Sequence, residues 1–227
     1  MQDRVEVILA EIRKLVAERE TKPKRVVQYP APFLTIAHSY GTWTLSDRSS
    51  KENLSLGRDI EFLTTQAYYQ SKVFSPSGVL KMVSQIVLPN EKENMLNVLT
   101  GELWKDVVVE EGDTVVNSWL IPVVIVSKDE PIKAIWEVKK ASMRTLINFM
   151  RESDLRNLNT LHIKATIIVK RDGDVKWGEP KIAHYQPLKE VRDEKLLLTV
   201  LELLKTFEEF RKAYNMQAIQ NDEQFDL

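Results

Sequence analysis

The chain has 227 residues, of which 43% are hydrophobic and 29% charged, and its 32 basic and 33 acidic side chains leave a net charge of −1. This is the composition of a globular protein long enough to bury a core, and it excludes both a disordered chain and one that coats nucleic acid through overall charge alone. With no cysteine there is no disulfide, thiolate zinc site or cysteine nucleophile, and no apolar run approaches the roughly 18–20 residues of a membrane span, so the sequence reads as cytoplasmic.

Charged residues interrupt the apolar positions of the N-terminus, which is unlike a signal peptide. Val5, Ile8, Leu9, Ile12, Leu15 and Val16 instead recur at helical spacing and predict an amphipathic helix within residues 1–21, followed by the basic linker Lys22-Pro23-Lys24-Arg25. Residues 26–215 read as one α+β domain. Alternation over residues 33–45 predicts a strand that Gly41 bends or bulges, and residues 46–53 form a polar loop. Residues 60–74 read as a single strand closed by Ser75-Pro76-Ser77-Gly78. Strand-like runs follow at 79–87, 103–109 and 115–126, and Pro122 argues for an edge or a break in the last of them. Leu146, Ile147, Phe149 and Met150 place a helix over 141–153. Residues 161–171 and 175–185 form a hairpin across Asp172-Gly173-Asp174. A long helix spans 194–214, and residues 216–227 form an acidic mobile tail. So many short strands leave unpaired edges, which closure would remove. The expected fold is therefore α+β: a largely antiparallel barrel or strongly curved sheet with N-terminal, middle and C-terminal helices.

Metal and nucleophile chemistry finds little material. His38, His162 and His184 are far apart and in no ligand spacing, and there is no phosphate-binding glycine loop and no GxSxG elbow, so neither a metal nor a cofactor is expected. One enzymatic pattern survives. Glu137 and Lys139, two apart on a probable strand, project from one face as in the PD-(D/E)xK nuclease core, where acids hold Mg²⁺ and the lysine steadies the attacking water. The strand before them carries no acid; the nearest carboxylates for this alternative are Asp113, in a turn, and Asp129, in a loop, and such a pair arises readily on a merely solvated strand face.

The broader signal is interleaving of rings and bases: Tyr40, Trp43, Arg48 and Lys51, then Arg58, Tyr68, Tyr69, Lys72 and Phe74, with Lys139, Lys140 and Arg144 as a second basic cluster. A surface for single-stranded nucleic acid needs flat rings beside Lys or Arg, each base stack contributing roughly 1–3 kcal/mol. Strand aromatics are also the usual material of a core, so about half of these rings are expected to be buried. The tail places Asp222, Glu223, Phe225 and Asp226 together, suited to partner proteins or to competing with DNA for a basic groove, unless it is merely a solvated end.

In order along residues 30–215 come Gly41-Thr42-Trp43, Leu56-Gly57, Tyr68-Tyr69 before Ser75-Pro76-Ser77-Gly78, Thr100-Gly101-Glu102, Lys139-Lys140 before a helix, and a strand bearing Trp177 before the last helix. With the acidic end, this arrangement resembles the phage-type single-stranded DNA-binding proteins. The resemblance implies an oligonucleotide/oligosaccharide-binding (OB) barrel and a non-enzymatic role in replication or recombination. It also implies stacking by Tyr40, Trp43, Tyr68, Tyr69 and Phe74, with phosphate contacts from Arg48, Lys51, Lys72, Lys139 and Lys140. The expected partners are single-stranded DNA, replication or recombination proteins at the tail, and a second copy. An assembly protein joined through its terminal helices is the third reading.

Overall fold

The computed structural model describes residues 5–10, 29–46, 53–155 and 160–222. Ten strands build one sheet: β1 Phe33–Ala37, β2 Thr42–Ser46, β3 Asn53–Gly57, β4 Asp59–Thr64, β5 Tyr68–Phe74, β6 Leu80–Val83, β7 Thr114–Ile125, β8 Ile132–Lys139, β9 Leu161–Asp172 and β10 Val175–Pro187. Helix α1 covers residues 5–10, α2 is Lys140–Glu152 and α3 is Glu194–Asp222, running past the Tyr214 at which the periodicity ends it. None of the helices among the described residues is long and apolar enough to cross a membrane.

The strand order is β10-β9-β4-β7-β8-β1-β2-β3, and a side arm of β5 and β6 also joins β7. Every named pairing is antiparallel except β1 with β8, which run parallel over Phe33↔Ile135 and Leu34↔Trp136. Strand β7 organises the rest. Its first half pairs with β5, from Thr114↔Phe74 to Leu120↔Tyr68, and its second half pairs with β4, from Val123↔Thr64 to Ile125↔Phe62. The single strand expected over 60–74 is therefore two. Thr65 ends the first by donating both its backbone N–H (3.1 Å) and its Oγ1 (2.7 Å) to the Pro122 carbonyl. This also explains why Pro122 sits in the middle of an unbroken, internal strand rather than at an edge. In antiparallel backbone the N–H and C=O of one residue face the same neighbour. Pro122 faces the gap between β4 and β5, where no ladder bond is lost.

The expected barrel is not formed, and neither is a strongly curved sheet: β3, β6 and β10 each have one strand neighbour. The edges are blunted by other means. Strands β3 and β6 have five and four residues, and β10 carries Pro180, Pro187 and an irregularity between Ile182 and His184. The strand expected over 103–109 is a 3-10 turn, Trp104–Asp106, followed by irregular chain that no strand edge pairs.

Two buried layers hold the sheet between helices. On one face Trp43, Phe62 and Trp136 meet edge to face, with ring centroids 5.2–6.2 Å apart, beside Ile121, Val123, Ile163 and Leu146 of α2. The alternate residues Leu63 and Val124 point the other way, against Val5, Ile8 and Leu9 of α1 and Leu197, Val200, Leu201 and Leu204 of α3. Farther along α3, Phe207 and Phe210 cover Phe33, Tyr68, Leu120 and Ile135. Each fully buried large side chain contributes about 1.5–3 kcal/mol.

Candidate nucleic-acid interface

The rings that the sequence singles out divide by burial. Trp43 is part of the edge-to-face cluster and fully enclosed. Tyr68 packs on Phe207 (centroids 5.0 Å apart) and donates its hydroxyl to Glu208; burial and that carboxylate push its phenol well above the usual range. Neither ring is open to a base, because α2 covers one face and α3 the other. Tyr69 is half-buried, its hydroxyl bonds Asn117 Oδ1 at 2.7 Å, and the Lys92 ammonium stands 4.2 Å from its ring centre. Burial pushes the Tyr69 phenol up, although a hydrogen bond with Ser71 opposes the shift. Phe74 is half-buried at the end of β5, opposite Leu80 and Thr114. Tyr40 alone is largely exposed, at 75%, in the turn between β1 and β2.

The predicted cations divide likewise. Lys72 is buried, with its ammonium 3.8 Å from Glu137 Oε1, and so is not a surface phosphate contact. Lys139 is half-exposed and binds Glu137 Oε2 at 2.8 Å, while Arg144 is exposed on α2. Arg48, Lys51, Glu223, Phe225, Asp226 and the side chains of Lys140 and Asp222 lie outside the described residues. Glu137 and Lys139 do share a face, as their spacing requires. Asp113 does not join them: Glu137 pairs with Leu120, seven residues or roughly 23 Å along β7 from Asp113, which instead binds Lys81 at 2.9 Å. Among the described residues no three His, Asp or Glu side chains are grouped to hold a metal ion.

The structure assembles a different set. Strands β1 and β8 stay paired for only two positions, after which β8 runs into α2 and β1 turns back into β2. The fork leaves an open groove of about 500 Å³, lined by Thr35, His38, Glu137, Lys139, Ser142 and Trp177 among others. Two glycines make this possible. Gly41 has φ +62°, and a Cβ there would lie 2.3 Å from Val169; a Cβ on Gly178 would lie 2.8 Å from Ile167 and 3.0 Å from Ile36. The β1–β2 turn therefore seats directly on the β9–β10 hairpin and holds His38 Nδ1 3.1 Å from the Gly178 carbonyl oxygen. On β10 the Trp177 indole donates to Glu179 Oε1 at 2.8 Å. Burial would raise the Glu179 carboxyl, but hydrogen bonds from Lys170 and Trp177 and the Lys170 charge outweigh it and hold that group below the usual carboxylate range.

Helix α2 opens onto the same groove. Its cap position is Lys139, no side chain caps its first amides, and its first turn contains no acid. Unpaired amides and the helix dipole favour an anion at such an end. The groove thus offers an indole, an imidazole, an ammonium and a helix start within one opening. In the sequence His38 stands far from any other ligand type, and Trp177 carries weight only through the family resemblance. The one local sign was a tryptophan beside Lys176 on a well-marked hairpin strand. Comparison with protein-family models, curated proteins and solved structures finds no match to this chain.

Proposed function

We propose that the protein binds single-stranded DNA, without chemistry on it, and that the groove at the β1–β8 fork is the seat. The observation that carries this reading is the meeting of Trp177, His38 and Lys139 with the uncapped start of α2. A ring for stacking and donors for a phosphate are what a single strand requires. Exposed Tyr40 and Arg144 lie on the two elements that frame the opening and extend it. The order of motifs along residues 30–215 resembles that of phage-type single-stranded DNA-binding proteins, which fits a role in replication or recombination. With no barrel to supply an OB surface, however, the reading rests on the groove. Titration of a labelled oligonucleotide at low salt is expected to show binding that weakens steeply as salt rises. No signal change at micromolar protein would overturn the proposal.

One observation favours a nuclease as the second reading: Glu137 and Lys139 face this groove together. That reading requires Mg²⁺-dependent cleavage lost in Lys139→Ala, and intact single- and double-stranded DNA after incubation with Mg²⁺ or Mn²⁺ would remove it.

A further inference from the structure

The first turn of α2 carries a second feature besides its uncapped amides. Ser142, the third residue of the helix, lines the groove yet is only 8% exposed, and its hydroxyl has no hydrogen-bond partner among the described residues. A buried polar group without a partner is costly and calls for an explanation. Here the amides, the Ser142 hydroxyl and the Lys139 ammonium border one opening, a set of donors for which the described residues supply too few acceptors. Glu137 is the one carboxylate lining the groove among those residues, and it is already held by Lys139 at 2.8 Å and Lys72 at 3.8 Å. Two ammonium groups against one carboxylate leave this corner positive. His38, the other titratable group of the lining, sits with Nδ1 at the Gly178 carbonyl oxygen.

The walls of the groove bear on which phosphate it takes. Leu34↔Trp136, the last pairing of β1 with β8, shuts the fork at its apex. Strand β10 spans the two arms, since Gly178 meets Ile36 and His38 on one side and α2 packs on the same strand on the other. A strand threading through needs a second exit, whereas a strand end does not. The volume of about 500 Å³ is that of a small-ligand site. A terminal phosphomonoester brings three free oxygens and a charge of about −1.5 to −2 at neutral pH, where an internal phosphodiester has two such oxygens and a single charge. We propose that the groove binds a nucleotide by its terminal phosphomonoester, with the phosphate at the first turn of α2 on Ser142 and Lys139 and the base against Trp177. The proposal rests on the nucleic-acid reading of this groove and names what it takes: a phosphorylated end rather than an interior segment.

The test titrates the full chain with one oligonucleotide sequence carrying a 5′-phosphate, a 3′-phosphate or hydroxyls at both ends. A phosphorylated end should bind about tenfold or more tighter than the hydroxyl-ended strand. Thymidine monophosphate and thymidine, titrated separately, distinguish the two sources of such a phosphate. Monophosphate binding as tight as that of the phosphorylated strand assigns the groove to free nucleotides, and tighter binding of the strand assigns it to DNA ends. Ser142→Ala removes the partnerless hydroxyl, so thermal stability should hold or rise while the preference for phosphate falls about fivefold or more. Ser142→Asp puts a carboxylate where the helix dipole favours one, so the fold should hold and the preference should vanish. A merely structural serine would move stability and leave the preference alone. Equal binding of phosphorylated and hydroxyl-ended strands by the wild type, or an unchanged preference in both folded variants, would overturn the proposal and leave the DNA-binding reading standing. Binding of thymidine monophosphate alone, with no affinity for any oligonucleotide, would uphold the phosphate site and overturn that reading. Failure of every phosphate-bearing probe would overturn both.

Discussion

Strands β5 and β10 both carry aromatic residues among charged neighbours, yet only one of them presents a ring to solvent within a groove. Strand β5 lies between β7 and β6, and α3 closes over it, so Tyr68 becomes core. Strand β10 has a single neighbour and α2 covers it only in part, leaving Trp177 at an opening. The difference lies in the helix layer rather than in the strands. A ring on a strand can bind a base only where no helix has claimed its face.

The largest expected effect tests the covered side. Phe207→Ala removes the ring that seals Tyr68 and should cost about 3–5 kcal/mol in denaturant unfolding, whereas Trp177→Ala should change stability by less than about 1 kcal/mol. Equal losses would mean that the two strands are covered alike. Glu137→Gln comes next. It strips a buried carboxylate from beside two ammonium groups and should destabilise by about 3 kcal/mol, while the added positive charge at the groove tightens oligonucleotide binding. Weaker binding by a folded Glu137→Gln protein would count against phosphate contact at Lys139. Trp177→Ala should then lower oligonucleotide affinity by roughly 1–3 kcal/mol, the worth of one stacked base, and Tyr69→Ala should leave affinity near wild type.

The smallest effect is acid sensitivity. Burial would raise the Glu61 carboxyl, but hydrogen bonds from Lys164 and His162 hold it below its ordinary value, as Lys170 and Trp177 do for Glu179. A carboxyl whose folded pKa is depressed stabilises the fold above its unfolded pKa, near 4.3 for Glu, and that contribution is lost as pH falls through the folded value. Each group is partly exposed, so Glu61→Gln or Glu179→Gln should remove less than about 1 kcal/mol at neutral pH and flatten the stability profile below about pH 4.5. An unchanged profile in both variants would show that these networks do not stabilise the fold.

Local signals carried much of the fold. Asp172-Gly173-Asp174 marked the β9–β10 hairpin, and periodicity located α2 and α3. The Glu137–Lys139 spacing correctly placed both side chains on one face. What failed was non-local. Nothing in residues 60–74 shows that Thr65 leaves the ladder for the Pro122 carbonyl, because that bond belongs to a strand 57 residues away. The rings of Trp43 and Tyr68 look like binding candidates in the sequence because the helices covering them are remote along the chain. The groove was illegible for the same reason. His38 and Gly178 are separated by 140 residues, and their contact depends on two glycines whose closeness only the fold reveals.

A single strand is expected to lie at the β1–β8 fork rather than across the aromatic face of β5. Photo-crosslinking an oligonucleotide bearing a reactive pyrimidine, followed by mapping of the linked peptides, addresses it most directly. Crosslinks are expected at Trp177, His38 or Tyr40 and should disappear at high salt. Crosslinks confined to Tyr69 and Phe74 would contradict it.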